Sequence, residues 1–192
     1  MNHEIKPKTL KTKRLTLRAF QLGDETQMFY GWCHDPRVTK TLYWETHQDI
    51  SQTKAVLEMW LNQYEKAPYY HWGIIDHDKN QLIGSIGLVN YSDPDAHGEI
   101  GYCLAYDYWN QGIMTEAYQA IMAYLFEVIG FNKLYSKHMN TNLASGRVMI
   151  KCGMQKEGYL REDHLNKEGG FDDMILYAIL KSDYFKLKRG QR

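Results

Sequence analysis

The sequence predicts a mixed α/β fold in which helices flank a central twisted mixed sheet of about seven strands. After an N-terminal helical pair, the elements follow the order ββ-helix-β-helix-ββ, which favours one mixed sheet. No internal repeat, low-complexity tract or Pro/Gly/Ser-rich linker interrupts the 192 residues. We therefore expect a single domain over residues 1–192, with a core at about 14–184, a short polar N-terminus and a basic C-terminal tail.

The strands are indicated by β-rich runs and by alternation of apolar and polar residues. The first is residues 15–18, and the others are predicted at 70–75, 82–89, 99–105, 134–139, 155–160 and 173–180. Turn-forming residues at 76–80 and 166–170 each separate two of these runs, as in a hairpin.

The helices are indicated by apolar residues at a spacing of three or four. Asp24 stands at the N-cap position of a short helix, and a second helix is predicted over residues 49–65. The clearest lies between Gly112 and Gly130, with Gly130 at its C-terminal stop. Its predicted buried stripe is Met114, Ala117, Ile121, Leu125 and Val128. A last short helix is expected over residues 142–151.

Composition excludes several classes of function. The 14% aromatic and 24% charged fractions exclude disorder, and 23 basic against 23 acidic residues argue against nucleic-acid binding. Three widely spaced cysteines without metal-ligand spacing indicate a reduced cytoplasmic chain without a metal site. No run approaches the ~18 apolar residues of a membrane helix. Whether the chain forms a homo-oligomer is left open.

Residues 104–117 combine a strand end, a turn with one glycine and the first turn of a long helix. Backbone N–H groups at such a helix start, reinforced by the helix dipole, form an anion site suited to a pyrophosphate. The alternative is that Gly112 only allows a tight turn.

Residues 142–154 form the second informative segment. Asn142 and Ser145 are one helical turn apart and can face the same neighbour, holding an amide and donating a proton. The alternative is that Asn142 is only an N-cap, Ser145 a first-turn residue and Gly153 the helix stop.

Together the two segments resemble the GNAT superfamily of acyl-CoA-dependent N-acyltransferases, most closely its RimJ/RimL-type branch, which acetylates protein N-termini. The family's pyrophosphate motif, Q/R-x-x-G-x-G/A, corresponds to residues 109–114, which read WNQGIM and keep the central glycine. The later pattern N-x-x-S-x-x-V-x-x-K-x-G-F/M is matched at residues 142–154. The resemblance runs from about Arg14 to Tyr184.

The resemblance implies acetyl-CoA as cosubstrate and assigns residues to it. Its phosphates would lie on the turn and helix start, at Asn110, Gln111, Gly112, Ile113, Met114 and Thr115. The pantetheine arm would run along Leu104 and Ala105, where a backbone N–H would polarise the thioester carbonyl. Asn142 would hold the cosubstrate and Ser145 would protonate the leaving thiolate. Met114 departs from the family, which usually has Gly or Ala there.

Glu99 is the candidate general base, because several GNAT enzymes carry a catalytic Glu near the start of that strand. The alternative places Glu99 on the solvent face without a role. His71 and His97 could relay a proton at neutral pH, or be polar strand and loop residues. An α-amine has a pKa of about 7.7–8.0 and is partly neutral in the cell, so a strong base is not essential.

The expected function is acetyl transfer to a protein or peptide N-terminal α-amine, as in ribosomal-protein acetyltransferases, by direct transfer in a ternary complex. Two alternatives stay open: acetylation of a small amine, and a non-catalytic acyl-CoA-binding regulatory protein, which Met114 makes conceivable. No metal and no membrane contact are expected.

Overall fold

The computed structural model describes residues 1, 3 and 6–190. The strands in it are β1 (Leu10–Lys11), β2 (Leu15–Arg18), β3 (His71–Asp76), β4 (Gln81–Ser92), β5 (His97–Leu104), β6 (Lys133–Met139), β7 (Gln155–Leu165) and β8 (Phe171–Leu180). The helices are α1 (Glu25–Met28), α2 (Pro36–Thr39), α3 (Ile50–Lys66), α4 (Ile113–Tyr124), α5 (Leu143–Lys151) and α6 (Lys181–Gly190). The strand beyond the seven predicted is β1, whose two residues are too short to show alternation.

The eight strands form one sheet in the order β1-β2-β3-β4-β5-β6-β8-β7. Its ladders β1–β2, β2–β3, β3–β4, β6–β8 and β7–β8 are antiparallel, whereas β5 and β6 run parallel. A parallel pair needs a crossover connection, and α4 lies in the one between β5 and β6. The predicted mixed α/β sheet with flanking helices is confirmed.

The chain divides into two compact units, which we call the N-terminal and the C-terminal unit. The N-terminal unit contains His3–Gly87 and Tyr102–Ala120, and the C-terminal unit contains Leu88–Gly101 and the chain from Ile121 onward. The core of the N-terminal unit is built from Phe20, Met28, Trp32, Cys33, Val38, Leu57, Tyr64 and Leu82. Fully buried residues of the C-terminal unit include Leu125, Phe126, Ile129, Phe131, Leu134 and Met149.

The first helix begins where predicted, but Asp24 does not cap it with its side chain. The carboxylate instead accepts two hydrogen bonds of 2.8 Å from the Arg18 guanidinium and one of 2.9 Å from the Gln21 N–H. Asp24 is thus a buried ion-pair partner that ties β2 to the start of α1. After Met28 the chain continues through a wider π-helical turn, Phe29–Cys33.

The second predicted helix, α3, is confirmed with the signals expected of its sequence. The side chain of Asp49 accepts a hydrogen bond of 2.8 Å from the Ser51 N–H, and Gln52 completes a capping box. The predicted hairpin at residues 76–80 is also confirmed, since Asp76 pairs with Gln81 across β3 and β4.

The stripe predicted for α4 is buried except at its end. Val128 is 40% exposed, whereas Ile129 is fully buried. The reason is a π-helical turn at Leu125–Ile129, which advances the buried face by one residue. Gly130 has a φ of +97° and ends the helix as predicted.

The final strand pair, β7 and β8, is confirmed and is longer than predicted. The basic C-terminal tail is not an irregular end: residues 181–190 form α6, whose Lys188 ammonium bonds the Glu127 carboxylate at 2.6 Å.

In the part of the chain that the structure describes, no helix has the length and apolarity that crossing a membrane requires. Cys33, Cys103 and Cys152 are free thiols.

Candidate functional site

The predicted site residues of the N-terminal unit begin at the end of β5. The N–H of Ala105 donates to the carbonyl of Ile83 on β4 at 2.8 Å. Because backbone groups alternate in direction along a strand, the N–H and carbonyl of Leu104 point away from β4. The Leu104 carbonyl accepts the indole N–H of Trp109 at 2.8 Å. Of the two residues predicted to line the pantetheine arm, Leu104 therefore has the N–H that points away from the neighbouring strand.

The turn that follows β5 is held in an unusual backbone conformation. Asn110 has a φ of +59° and Gly112 a φ of +73°, both in the left-handed region. Asn and Gly are the residues that adopt this region most readily. The Gln111 side-chain amide donates to the Asp107 carbonyl at 2.7 Å and braces the turn. Alternation of right- and left-handed residues makes concave arrangements of N–H groups that bind anions.

The first turn of α4 follows this bend directly. The first intrahelical hydrogen bond we find runs from the Glu116 N–H to the Gly112 carbonyl, at 3.1 Å. The N–H groups of Ile113, Met114 and Thr115 precede it, at the positive end of the helix dipole. Gly112 has no side chain with which to cap them.

Arg14 adds a positive charge beside the same turn. Its Nη1 donates to the Gln111 carbonyl at 3.0 Å, and its Nε donates to the Glu116 carboxylate at 2.7 Å. Burial alone would raise the pKa of Glu116, but hydrogen bonds from Thr12 and Arg14 outweigh it and lower that pKa. Glu116 stays ionised and holds Arg14, so that this segment carries fixed donors and a guanidinium.

Met114 does not present its side chain at the surface. The residue is only 6% exposed, whereas Gln111 and Gly112 are exposed. The departure from the family's small residue therefore adds a buried side chain to the core rather than a side chain over the helix start.

The remaining predicted residues lie in the C-terminal unit. Asn142 is the N-cap of α5, where its Oδ1 accepts the N–H of Ser145 at 3.2 Å. Ser145 is half-buried in the first turn, and Gly146 after it is buried. A Cβ at Gly146 would lie 2.7 Å from Nε2 of His138, so only glycine fits against that ring. The N-cap described as an alternative is present, and it leaves the Ser145 hydroxyl outside the capping bond.

Glu99 lies half-buried on β5 and is paired in register with Tyr135 on β6. Burial raises the pKa of Glu99, and Asp163 raises it further, while Lys137 and the Tyr135 hydroxyl oppose the shift. Lys137 and Asp163 form an ion pair of 3.0 Å. A carboxyl whose pKa is raised is better matched to accepting a proton near neutral pH. Next to it, Ser136 donates to the Ile100 carbonyl at 2.6 Å, just past the three residues where β5 and β6 pair.

The two histidines named as relays have different surroundings. His71 is buried on β3, and His97 is half-buried with its ring 3.7 Å from the exposed Asp95 carboxylate. Among the described residues no group of three or more His, Cys, Asp or Glu side chains could hold a metal ion.

Sequence reasoning missed Arg14 as a member of the site. The residue stands 102 positions before Glu116, and no local pattern connects the two. The sequence feature nearest to Arg14 was the alternation that predicted a strand at residues 15–18, and it gave no indication of a contact with α4.

Comparisons with known proteins show what the chain is similar to. Residues 14–155 match the family model of the acetyltransferase (GNAT) domain. The uncharacterized N-acetyltransferase p20 of Bacillus licheniformis is 30% identical over 92% of this chain and 98% of its own length. The ribosomal protein uS5-alanine N-acetyltransferase of Escherichia coli is 26% identical over 91% of this chain and 92% of its own. The crystal structure of a GNAT-family acetyltransferase from Bacillus anthracis superposes with a TM-score of 0.80, at 26% identity, over 91% of this chain and 99% of the other.

Proposed function

The chain belongs to the GNAT acetyltransferase family and is an N-acetyltransferase, and we propose that it transfers an acetyl group from acetyl-CoA to a protein or peptide N-terminal α-amine. The observation that carries this proposal is the start of α4, where a left-handed turn, the N–H groups of the first helical turn and Arg14 stand together. The α-amine acceptor is supported by the RimJ/RimL-type motifs and by similarity to the uS5-alanine enzyme.

The turn and helix start fit a pyrophosphate in charge and in shape. Backbone N–H groups from Asn110 to Thr115 would receive the phosphates, and the guanidinium of Arg14 would add attraction. The side chain of Met114 is buried and does not lie exposed over the turn. This burial weakens the case for a non-catalytic acyl-CoA-binding protein, which depended on Met114 crowding the phosphates.

When bound, acetyl-CoA supplies a thioester whose acyl carbon is attacked by the neutral amine. The N–H of Leu104, which points away from β4, would donate to the thioester carbonyl oxygen and stabilise negative charge there. We assign to Asn142 a role in holding the cosubstrate and to Ser145 the donation of a proton to the departing thiolate.

Glu99 would accept the proton that the amine loses, directly or through water. Its half-buried position and raised pKa suit that role, because a carboxyl with an unperturbed pKa is a weaker base. In the net reaction the acetyl group moves from sulfur to nitrogen, the amine loses one proton and the thiolate gains one.

The proposal also places the protein in the cytoplasm as a single functional domain, in keeping with its three free thiols. No metal is needed for the transfer.

Release of CoA thiol from acetyl-CoA, measured with a panel of peptides and small amines, tests the acceptor. We expect turnover with peptides that carry a free N-terminus and none with the same peptides after N-terminal acetylation. Mass spectrometry of the products should place the acetyl group on the α-nitrogen. Faster turnover with polyamines or other small amines would favour the small-amine alternative, and no turnover with any amine would contradict the proposal.

A further inference from the structure

His71 holds a buried nitrogen that the fold does not use. The residue is 8% exposed at the start of β3, and its Nε2 is buried without a hydrogen-bond partner among the described residues. Burial lowers the pKa of His71 to about 4, so the imidazole is neutral at cellular pH. Buried polar atoms are nearly always hydrogen-bonded, and an exception calls for an explanation.

Aromatic rings surround this imidazole. Its centroid lies 4.4 Å from that of Trp60, 5.6 Å from Phe20 and 5.7 Å from Tyr69, which stacks at an interplanar angle of 7°. Trp60 and Tyr69 are only half-buried, so this ring cluster reaches the surface of the N-terminal unit.

The other ring nitrogen faces the neighbouring strand. His71 pairs with Gly87 on β4, and a Cβ built on Gly87 would lie 2.9 Å from Nδ1. Glycine therefore leaves no side chain over Nδ1. Apolar walls that enclose a few polar atoms are typical of small-ligand sites, and so is a strongly perturbed pKa.

We propose that His71 is an acceptor-binding residue: its imidazole accepts an N–H hydrogen bond from the acceptor amine, between walls formed by Phe20, Trp60 and Tyr69. This inference rests on the proposed function and narrows its substrate class. The acceptor is a peptide amine that carries a bulky apolar or aromatic side chain close to its N-terminus.

The chemistry of the ring cluster favours the reactive form of the amine. Apolar walls disfavour the ammonium form by desolvation, and a neutral imidazole offers a lone pair to the N–H without adding charge. Large aromatic side chains of the acceptor would bury area against Trp60 and Tyr69. A purely structural His71 would instead direct an Nε2–H at the face of Trp60 and contact no substrate.

Kinetics with two dipeptide amides separate these readings. We expect wild type to acetylate Ala-Phe-amide with a lower KM than Ala-Ala-amide. In His71→Phe, which keeps a ring of similar size, the KM for Ala-Phe-amide should rise about tenfold while the KM for acetyl-CoA is unchanged. His71→Gln, which retains an acceptor oxygen, should recover part of that loss. His77→Phe is the control, because His77 is exposed after β3 and its ring bonds Thr16 at 2.9 Å, while its backbone N–H, which the substitution keeps, donates to the Arg14 carbonyl.

A binding measurement decides the inference even if no amine is acetylated. The imidazole ¹⁵N signals of His71 in the CoA-loaded protein should shift when Ala-Phe-amide is added, and not when its N-acetylated form is added. No shift, or an unchanged amide KM in a His71→Phe variant that melts like wild type, would overturn the role of His71. An absence of turnover with a shift present would instead count against the proposed function alone.

Discussion

The two helix starts that carry the sequence motifs satisfy their N–H groups in opposite ways. At α5, Asn142 supplies a side-chain oxygen to the N–H of Ser145, so the helix caps itself. At α4, the N-terminal position is Gly112, which has no side chain, and its φ of +73° turns the preceding chain away. A helix that caps itself is stable without a ligand, whereas one that does not presents donors to an anion. This difference is the basis for placing the phosphates of acetyl-CoA at α4, in our proposal, and not at α5.

Substitution of Gly112 tests whether the start of α4 binds CoA, and we expect the largest effect there. We expect Gly112→Val to abolish binding of CoA, because a β-branched side chain disfavours a φ of +73° and would occupy the turn where we propose that the phosphates bind. Isothermal titration calorimetry measures the loss. Gly130→Val is the matched control: Gly130 has a φ of +97° at the end of the helical run that α4 begins, so the variant should lose stability yet bind CoA normally. Wild-type affinity in Gly112→Val would show that the phosphates bind elsewhere.

The α5 side is tested by Ser145→Ala. If its hydroxyl protonates the thiolate, kcat should fall by about 10²-fold while the KM for acetyl-CoA stays close to wild type, because that bond strengthens only as charge develops on sulfur. A water that replaces the hydroxyl would reduce the loss. Steady-state kinetics at saturating acceptor provide the measurement.

Asn142→Ala separates capping from catalysis on the same helix. Loss of the N-cap should cost about 1 kcal/mol of stability, and loss of the amide should raise the KM for acetyl-CoA with a smaller change in kcat. Thermal melting of both variants comes first, since damage to α5 would lower activity in either. Wild-type kinetics in a folded Ser145→Ala would place the proton donor elsewhere.

Glu99→Gln asks whether a base assists the amine, and its effect should depend on pH. Burial raises the pKa of Glu99, so as pH falls through that raised value wild type loses its base too. The difference between wild type and variant should therefore be largest between the pKa of Glu99 and that of the amine, at about 8. There we expect a loss of about tenfold. Superimposable pH–rate profiles would leave Glu99 without a catalytic role.

The contrast between α4 and α5 also shows what sequence could predict. The positions of both helix starts followed from glycine, asparagine and apolar spacing, because these act through local backbone geometry. Arg14 escaped prediction because its contacts with Gln111 and Glu116 join residues about a hundred positions apart. The prediction that Val128 is buried was wrong, because the π-helical turn that exposes it depends on packing and cannot be read from the periodicity of apolar residues. Asp24 stands at the predicted N-cap position, but Arg18 binds its carboxylate, which makes no capping hydrogen bond to α1.

Met114→Ala should produce the smallest change at the α4 site, although not in the fold. The family's small residue at this position suggests that Met114 weakens CoA binding, but its side chain is 6% exposed and packs inward. We therefore expect CoA affinity in the variant to equal that of wild type or exceed it slightly. Stability should fall, because removal of a buried methionine side chain costs about 2–5 kcal/mol. Calorimetry with CoA and chemical denaturation, performed on the same preparation, separate the two effects. A clear loss of affinity at unchanged stability would mean that Met114 contacts the cosubstrate, and that α4 binds through side chains as well as through its N–H groups.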